Sequence, residues 1–423
     1  MPIHTKQSPK CLSDLLLGGL PGREGASAAS ILRICERELG RQIRSMHDEG
    51  LDTGPLRAQK VFVRIEKGHP DFSFPGRSVP RKRPLREMGR LKALADLGLF
   101  FRFEFGLTAA ARFLGAYFSP DNLGRAEKAG LRKRVVEVFT RALFDQLRRQ
   151  DKLCTRRNAF FAPISFARCR GWRRSVVQEA DLKGLMAHSA EIMENARVLK
   201  AGRSSRVAVV EDFPHGPAVL KRMVPRDMRS RLKNMLRPAK ALRSWRLANG
   251  LVARRIPCAL PLAFWSTGPT GYLLTKFVDA TPLRVLLRSH LPAWNEAERA
   301  GAAEKLAALL ARAVRNLHAM GYSHRDLKPS NILVGLKAAR PVSVYIMDTD
   351  GIRAQYQPLT VAKRARDLGR MAAPLGPLFG KGDCLIRRLV ENYLGWSAAR
   401  ADLAFEFSRL VRSSANRYSQ RGR

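Results

Sequence analysis

One short segment constrains this 423-residue chain more than any other. Residues 324–331 read HRDLKPSN, an apolar strand pattern follows directly, and a second apolar run ends in Asp-Thr-Asp-Gly at 348–351. A lone His-Arg-Asp triplet occurs by chance, whereas the whole run, followed by a strand and this acidic turn, is specific. We therefore expect one site to contain both segments.

The residue types in these two segments suit phosphoryl transfer. That reaction requires the protein to position an acceptor hydroxyl and to neutralise spreading negative charge. Asp326 is predicted to accept the proton of the acceptor, and Lys328 is predicted to reach the transferring phosphate. The predicted Mg²⁺ ligands are Asn331, Asp348 and Asp350. His324 is predicted to brace the loop backbone. The two segments thus predict an enzyme that uses ATP and Mg²⁺.

Alternating apolar residues upstream of the loop predict a small antiparallel sheet. Residues 196–213 read as strand, turn and strand, and 216–223 read as a third strand that carries Lys221. A helical pattern over 229–255 and a strand beginning at 271 and ending before Pro282 complete the order of a kinase small lobe. Two interpretations of the turn around Gly202 remain open. Either it binds phosphates with the help of Arg203 or Arg206, or it is a plain hairpin turn. The residues predicted to contact the nucleotide are Gly202, Lys221, Lys276 and Val278.

The region after the small sheet is predicted to be mainly helical. Residues 297–320 form a long Ala/Leu-rich pattern that Gly321 ends. We predict an α+β, bilobal protein-kinase-like fold, with a small antiparallel-sheet lobe over 191–278 and a larger helical lobe over 279–423. A basic, mainly helical region of unassigned role precedes it over 1–190.

Two patterns in the N-terminal region bear on fold and location. Residues 61–65 alternate as a strand, and the prolines nearby favour His69 and Asp71 as turn formers. The apolar stretch 97–118 contains Arg102, Glu104 and Arg112, which argues against a membrane span. It is interpreted as a buried amphipathic helix, with a helix on a membrane surface as the alternative.

The net charge of the chain limits the classes of partner that it is expected to bind. Lys and Arg number 77 against 36 Asp and Glu, a formal net charge of +41. Such a surface attracts anionic lipid, nucleic acid or acidic substrates. Nucleic-acid binding as the main function is disfavoured, because the basic residues follow no recognisable module. The N-terminus lacks a secretory pattern, and the six cysteines contain no C-x-x-C pair, so we expect reduced thiols in a cytosolic protein.

The sequence resembles the lipopolysaccharide core kinase family, the Kdo and heptose kinases, which are distant relatives of protein kinases. The resemblance rests on YIMDTDGIR at 345–353, with Arg353 close to the acidic turn, and on the segment 364–396 that begins RARDLGR. It implies a glycolipid or sugar acceptor, a peripheral location on the inner face of the cytoplasmic membrane, and a structural role for Asp367. No A-P-E or phosphorylatable activation segment follows Asp348, which disfavours a peptide acceptor.

Two departures leave alternatives open. No Asp or Glu occurs between Asp227 and Asp279, and Ser244 stands where an acid is expected to pair with Lys221. Either Glu211 or an N-terminal carboxylate supplies that partner, or Lys221 is held differently. The DLKPSN loop is closer to protein kinases, so a Ser/Thr protein kinase remains open. So does a catalytically impaired kinase-like protein that binds anionic membrane or nucleic acid.

Overall fold

The fold is taken from a computed structural model of the chain. The residues that the structure describes are 10–17, 28–54, 56–66, 69–74, 79–80, 87–105, 107–118, 125–202, 204–225, 240–290, 295–338, 340–373, 383–395 and 401–421. They form two compact units, Met1–Asp145 and Gln146–Arg423. Arg203, which was predicted as a possible phosphate contact, lies outside the described residues.

Unit 1 is mainly helical, as predicted. Its helices are α1 (Leu12–Leu17), α2 (Ala28–Asp48), α3 (Glu87–Phe105), α4 (Leu107–Phe118) and the first part of α5 (Arg125–Leu153). Its strands are β1 (Lys10–Cys11), β2 (Leu51–Asp52), β3 (Phe62–Glu66), β4 (His69–Ser73) and β5 (Val79–Pro80). They form a three-stranded sheet in the order β1-β3-β4 and a β2-β5 pair.

The core of unit 1 lies where α2 and α4 pack together. Gly40 makes this approach possible, because a methyl group there would lie 2.6 Å from the carbonyl oxygen of Phe113. Arg112 of α4 forms an ion pair with Glu36 of α2, whose side chain is fully buried. A buried carboxylate of this kind needs its partner, so this pair ties the two helices to one register.

The apolar stretch 97–118 lies in α3 and α4, where Phe101 and Phe113 are fully buried, so the buried-helix interpretation is confirmed. No helix among the described residues is long and apolar enough to span a bilayer. The turn interpretation of His69 and Asp71 was wrong. Both lie in β4, where Pro70 faces Ile65 of β3 in an antiparallel ladder.

Unit 2 begins with a seven-stranded antiparallel sheet. Its strands are β6 (Phe161–Phe166), β7 (Cys169–Arg174), β8 (Val198–Gly202), β9 (Ser205–Val210), β10 (Ala218–Met223), β11 (Pro261–Thr267) and β12 (Thr270–Lys276), in the order β6-β7-β11-β12-β10-β9-β8. The three predicted strands around Lys221 are β8, β9 and β10. β10 lies between β12 and β9, so Lys221 stands on a central strand of the sheet.

Three strands of this sheet were missed by the sequence interpretation. β6 and β7 lie N-terminal to the predicted start of the small lobe at residue 191, and β11 pairs with β7 and β12. β7 reads CRGWRR, which has no alternation of apolar and polar residues. Its glycine, Gly171, allows β11 to pair closely with β7, because any side chain there would collide with the carbonyl of Phe264.

The helical lobe follows the sheet. The remaining helices of unit 2 are α6 (Glu179–Ala187), α7 (Ser189–Asn195), α8 (Lys240–Ala253), α9 (Leu283–Val285), α10 (Glu296–Ala319), α11 (Val361–Ala372), α12 (Asp383–Leu394) and α13 (Ala401–Arg421). Its strands are β13 (Thr281–Pro282), β14 (Tyr322–His324), β15 (Ile332–Lys337), β16 (Arg340–Ile346) and β17 (Ile352–Ala354). The long helix predicted for 297–320 is α10.

Local signals account for the boundaries of α10. Asn295 accepts a hydrogen bond from the backbone N–H of Glu298, whose side chain accepts one in return from the backbone N–H of Asn295. At the other end Gly321 adopts φ +73°, a left-handed conformation that glycine tolerates best. The catalytic loop segment starts directly afterwards in β14. The predicted bilobal, kinase-like α+β arrangement, with a helical N-terminal region, is confirmed.

Candidate active site

Lys221 is the centre of the first half of the site. It projects from the middle of β10, and its Nζ donates hydrogen bonds to Asp348 Oδ1 at 2.8 Å and to Asp350 Oδ2 at 2.9 Å. Burial alone would lower the pKa of Lys221, but the charges of the two aspartates raise it above its ordinary value. Burial likewise opposes ionisation of Asp348, yet the charge of Lys221 holds the Asp348 pKa below its usual range. The three groups therefore form a charged, mutually stabilised cluster.

The cluster shows how Lys221 is held without an acid on α8. Glu211 forms an ion pair with Arg197 instead, so the Glu211 alternative was wrong. The fully buried Ser244 of α8 donates a hydrogen bond to Asp350 Oδ1. Asp350 thus occupies the role expected of a helix carboxylate, and Ser244 fixes its position.

Backbone conformation brings the acidic turn close to the catalytic loop. Asp348 adopts φ +54°, which aspartate tolerates better than most residues. Gly351 packs against the ring of His324, and a methyl group there would lie 2.8 Å from Cε1 of that ring. The Arg325 N–H donates to the Gly351 carbonyl at 2.9 Å. Glycine is therefore required where the two segments meet.

Asp326 forms the second half of the site with Lys328 and Asn331. Lys328 Nζ lies 2.8 Å from Asp326 Oδ2. Asn331 Nδ2 donates to the same oxygen at 3.1 Å and to the Asp326 carbonyl at 2.9 Å. The hydrogen bond to Asp326 raises the pKa of Lys328 above its ordinary value. The structure therefore brings together the predicted catalytic residues Asp326 and Lys328 and the predicted metal ligand Asn331.

His324 is a buried brace, as the sequence predicted. Its Nε2 donates to the carbonyl of Met347 at 3.0 Å, and its Nδ1 accepts the N–H of Asp326 at 3.3 Å. Burial lowers its pKa, so the ring is neutral, in keeping with one donor and one acceptor nitrogen. The ring thereby links the end of β16 to the catalytic aspartate.

Asp367 of α11 also holds this loop, through a hydrogen bond to its backbone. Its Oδ2 accepts the backbone N–H of His324 at 2.7 Å and lies 3.3 Å from Nε2 of His318. Nδ1 of His318 lies 2.8 Å from the hydroxyl of Tyr393. The predicted structural role of Asp367 is confirmed by these contacts.

A buried ion pair between Asp151 and Arg254 holds the strand that leads into the catalytic loop. Asp151 receives two hydrogen bonds from Arg254, at 2.6 and 3.0 Å, and one from the hydroxyl of Tyr356 at 2.7 Å. The Arg254 guanidinium also lies over the ring of Tyr322, the first residue of β14. This cluster fixes the strand that leads into the catalytic loop, and its members are too scattered in sequence to be recognised as a group.

The remaining predicted nucleotide-contacting residues lie on the sheet. Gly202 is exposed at the end of β8, opposite Ser205 of β9. Lys276 is exposed at the end of β12, and Val278 is half-buried just beyond it. Among the described contacts, none joins these three residues to the Lys221 cluster. Lys200 of β8, which the sequence interpretation missed, contributes positive charge to the surroundings of Asp348.

Comparison with known proteins bears on the central part of this unit. A model of the lipopolysaccharide kinase (Kdo/WaaP) family matches residues 218–375, the segment that contains Lys221, Asp326 and Asp348. The resemblance to lipopolysaccharide kinases is confirmed. The enzyme is accordingly a phosphotransferase with an alcohol group as acceptor. No curated protein matches the chain in sequence.

Solved structures give weaker likenesses to this lipopolysaccharide kinase-like chain. A structure of WaaP in complex with acyl carrier protein is 14% identical, with a TM-score of 0.37, over 52% of this chain and 92% of that chain. A crystal structure of the BubR1 kinase domain is 15% identical, with a TM-score of 0.29, over 45% of this chain and 49% of that chain.

Proposed function

We propose that the protein transfers the γ-phosphoryl group of ATP to a sugar hydroxyl of a lipopolysaccharide core glycolipid, carrying Kdo or heptose. The observation that carries the proposal is the Lys221–Asp348–Asp350 cluster, which lies within the family-matched segment together with the Asp326–Lys328 pair. Phosphoryl transfer needs cationic groups for the phosphates and a carboxylate for the acceptor hydroxyl. Both are present in unit 2.

Each residue has a role that follows from its contacts. Asp326 orients the acceptor hydroxyl and takes its proton as the bond to phosphorus forms. Lys328 lies against the same carboxylate and neutralises charge on the transferring group. Lys221 binds the phosphates of the nucleotide, as its position in the middle of a sheet strand allows.

The polar side chains also fit a magnesium ion. Mg²⁺ prefers one or two carboxylates together with substrate phosphates and water. Asp348 and Asp350 converge on one ammonium group, so their oxygens already face a common cation. Asn331 adds an amide oxygen, since its nitrogen is engaged by Asp326. The ion would neutralise phosphate charge when bound.

A short connection after the acidic turn supports a small acceptor. The chain passes through β17, which pairs with β14, and α11 begins at Val361. A protein kinase uses a longer activation segment here to bind its peptide substrate. The short path favours a sugar acceptor over a peptide.

The decisive experiment measures label transfer from γ-³²P-ATP in the presence of Mg²⁺. Wild type, Asp348→Asn and a matched control, Asp212→Asn, are compared on three acceptors: intact core glycolipid, delipidated core sugar and a mixed protein extract. Asp212 is exposed in the same unit, so the control makes the same chemical change away from the cluster. We expect label on glycolipid or sugar, lost by a factor of about 10² or more in Asp348→Asn and retained in Asp212→Asn.

The other outcomes identify the alternative functions. Label on protein alone would establish a Ser/Thr protein kinase instead. An absence of label on every acceptor, with the wild-type protein folded, would favour the impaired, anion-binding alternative.

A further inference from the structure

A polar cavity lies beside the catalytic loop. Its volume is about 340 Å³, and its lining residues are Arg366, Arg370, Ser414, Arg417 and Tyr418. These residues come from α11 and from the C-terminal half of α13. The volume is that of a small-ligand site, and three of its five lining residues are arginines.

Close packing of two helices builds the cavity. Gly369 of α11 faces Ser414 of α13, where a methyl group would lie 2.6 Å from Cβ of that serine and 2.8 Å from the Val411 carbonyl. Ser414 Oγ donates to the carbonyl of Arg366 at 3.4 Å. The arginines on both sides are therefore held at one place by the helix pair.

The cavity carries uncompensated positive charge. The Arg370 guanidinium lies 3.3 Å from Oδ1 of Asp367. The other oxygen of that carboxylate already contacts the backbone N–H of His324 and the ring of His318. No acid of the described chain pairs with Arg366 or Arg417, and α13 has no Asp or Glu after Glu406. Several guanidinium groups around one cavity bind carboxylate or phosphate oxygens well.

Two connections place the cavity next to the catalytic loop. Asp367 contacts Arg370 with one oxygen and the backbone N–H of His324 with the other. Tyr418 lies close enough to Lys328 to affect its protonation. A group bound among the arginines is thus adjacent to the residues that handle the acceptor.

We infer that this cavity binds an acid group of the sugar acceptor, a carboxylate or a phosphate, and so presents a neighbouring hydroxyl to Asp326. The inference rests on the proposed function and adds the positions that select an acidic acceptor, Arg366 and Arg417. Both side chains are exposed, so their replacement leaves the core intact.

The test compares Arg366→Gln and Arg417→Gln with wild type. Arg409→Gln is the matched control, since Arg409 is an exposed arginine of α13 outside the cavity. Phosphate transfer is measured on Kdo-bearing core sugar with its carboxylate free and on the same sugar as its methyl ester. Inorganic phosphate and free Kdo are separately titrated into each full-length protein by calorimetry, without ATP.

We expect each cavity variant to raise the KM for the acidic acceptor by about tenfold, the loss of one charge-assisted contact, with kcat largely unchanged. The ester should bind wild type and variants alike. An unchanged KM in both variants, or an equal rise in Arg409→Gln, would overturn the inference. So would variants that lose binding to anionic phospholipid vesicles while keeping the acceptor KM, because the cavity would then hold a lipid headgroup.

Failure of the proposed function is distinguishable from failure of this inference. If wild type transfers no phosphate to sugar, the titrations still decide. Binding of Kdo or phosphate that is lost in both cavity variants and kept in Arg409→Gln would support the anion site. A wild-type protein that binds neither probe would refute it.

Discussion

At the scale of single residues, the site depends on how one lysine is neutralised. A lysine in the middle of a sheet needs a carboxylate, and α8 offers none. Asp350 serves instead, and Ser244 supplies the hydrogen bond that holds it. The turn after β16 therefore supplies the carboxylate that a helix acid would otherwise provide. The helix supplies only a hydroxyl group that holds this carboxylate in place.

The variant Ser244→Ala tests whether the hydroxyl group on α8 holds Asp350 in place. Removal of the hydroxyl leaves one oxygen of Asp350 without its donor, and a hydrogen bond to a charged group contributes about 1.5–3 kcal/mol. We expect kcat/KM for phosphate transfer to fall by about tenfold or more, and the melting temperature to fall by several degrees, since the same hydrogen bond also contributes to folding. Steady-state kinetics and a melting curve measure the two effects.

Ser413→Ala, an exposed serine of α13, is the control and should match wild type. Turnover by Ser244→Ala at the wild-type rate would show that Asp350 needs no support from α8.

At the scale of secondary-structure elements, α10, α11 and β14 meet at two buried histidines. His318 lies in the last turn of α10 and contacts Asp367 of α11, while His324 ends β14 and donates its backbone N–H to the same aspartate. Burial lowers the pKa of both rings, so the folded protein keeps them neutral. The catalytic loop is therefore braced by groups that resist protonation.

This arrangement predicts a loss of stability in mild acid. Unfolded histidine has a pKa of about 6.5, and the folded pKa of His318 and His324 is lower. The stability that depends on neutral rings is complete above the unfolded pKa and is lost as the pH falls from there toward the folded pKa. The melting temperature should drop between pH 7 and pH 5.5, about the range that unfolded histidine titrates over.

His318→Gln should show a shallower decline over that range, because one of the two protonation sites is gone. His188→Gln, at an exposed histidine, should keep the wild-type slope. Equal slopes in all three proteins would rule out the histidine brace as the cause.

At the scale of the whole molecule, charge is the dominant property. A net charge of +41 produces a field that favours anionic membrane surfaces, where each basic residue near the surface contributes about 1 kcal/mol. We propose on this basis that the protein works peripherally at the inner face of the cytoplasmic membrane, where a glycolipid acceptor is accessible.

Vesicle binding tests that proposal. We expect the full-length protein to sediment with vesicles that contain phosphatidylglycerol and to stay in solution with purely zwitterionic vesicles. Binding should weaken steeply between about 0.05 and 0.5 M salt, because salt screens surface charge. Equal binding to both kinds of vesicle would point to apolar insertion instead.

Much of unit 2 could be predicted because its signals are local. Apolar alternation located β8, β9 and β10, and the glycine after an amphipathic run located the end of α10. β6 and β7 escaped prediction because a basic, non-alternating strand such as CRGWRR is recruited by its neighbours and not by its own pattern. His69 and Asp71 were misassigned for the same reason, since pairing with β3 overrides the turn preference of the nearby prolines.

The amino-acid sequence was enough to predict the chemistry, because the residue types at close spacing around Asp326 and Asp348 are those that phosphoryl transfer requires. It determined the charge as well, which is a sum over residues. The carboxylates that Lys221 contacts could be identified only from the three-dimensional structure, because Asp348 lies 127 residues further along the chain. That structure alone gathered Arg366 and Arg417 from two helices around one cavity. Contacts of that separation depend on how strands and helices pack, and packing is a property of the whole lobe.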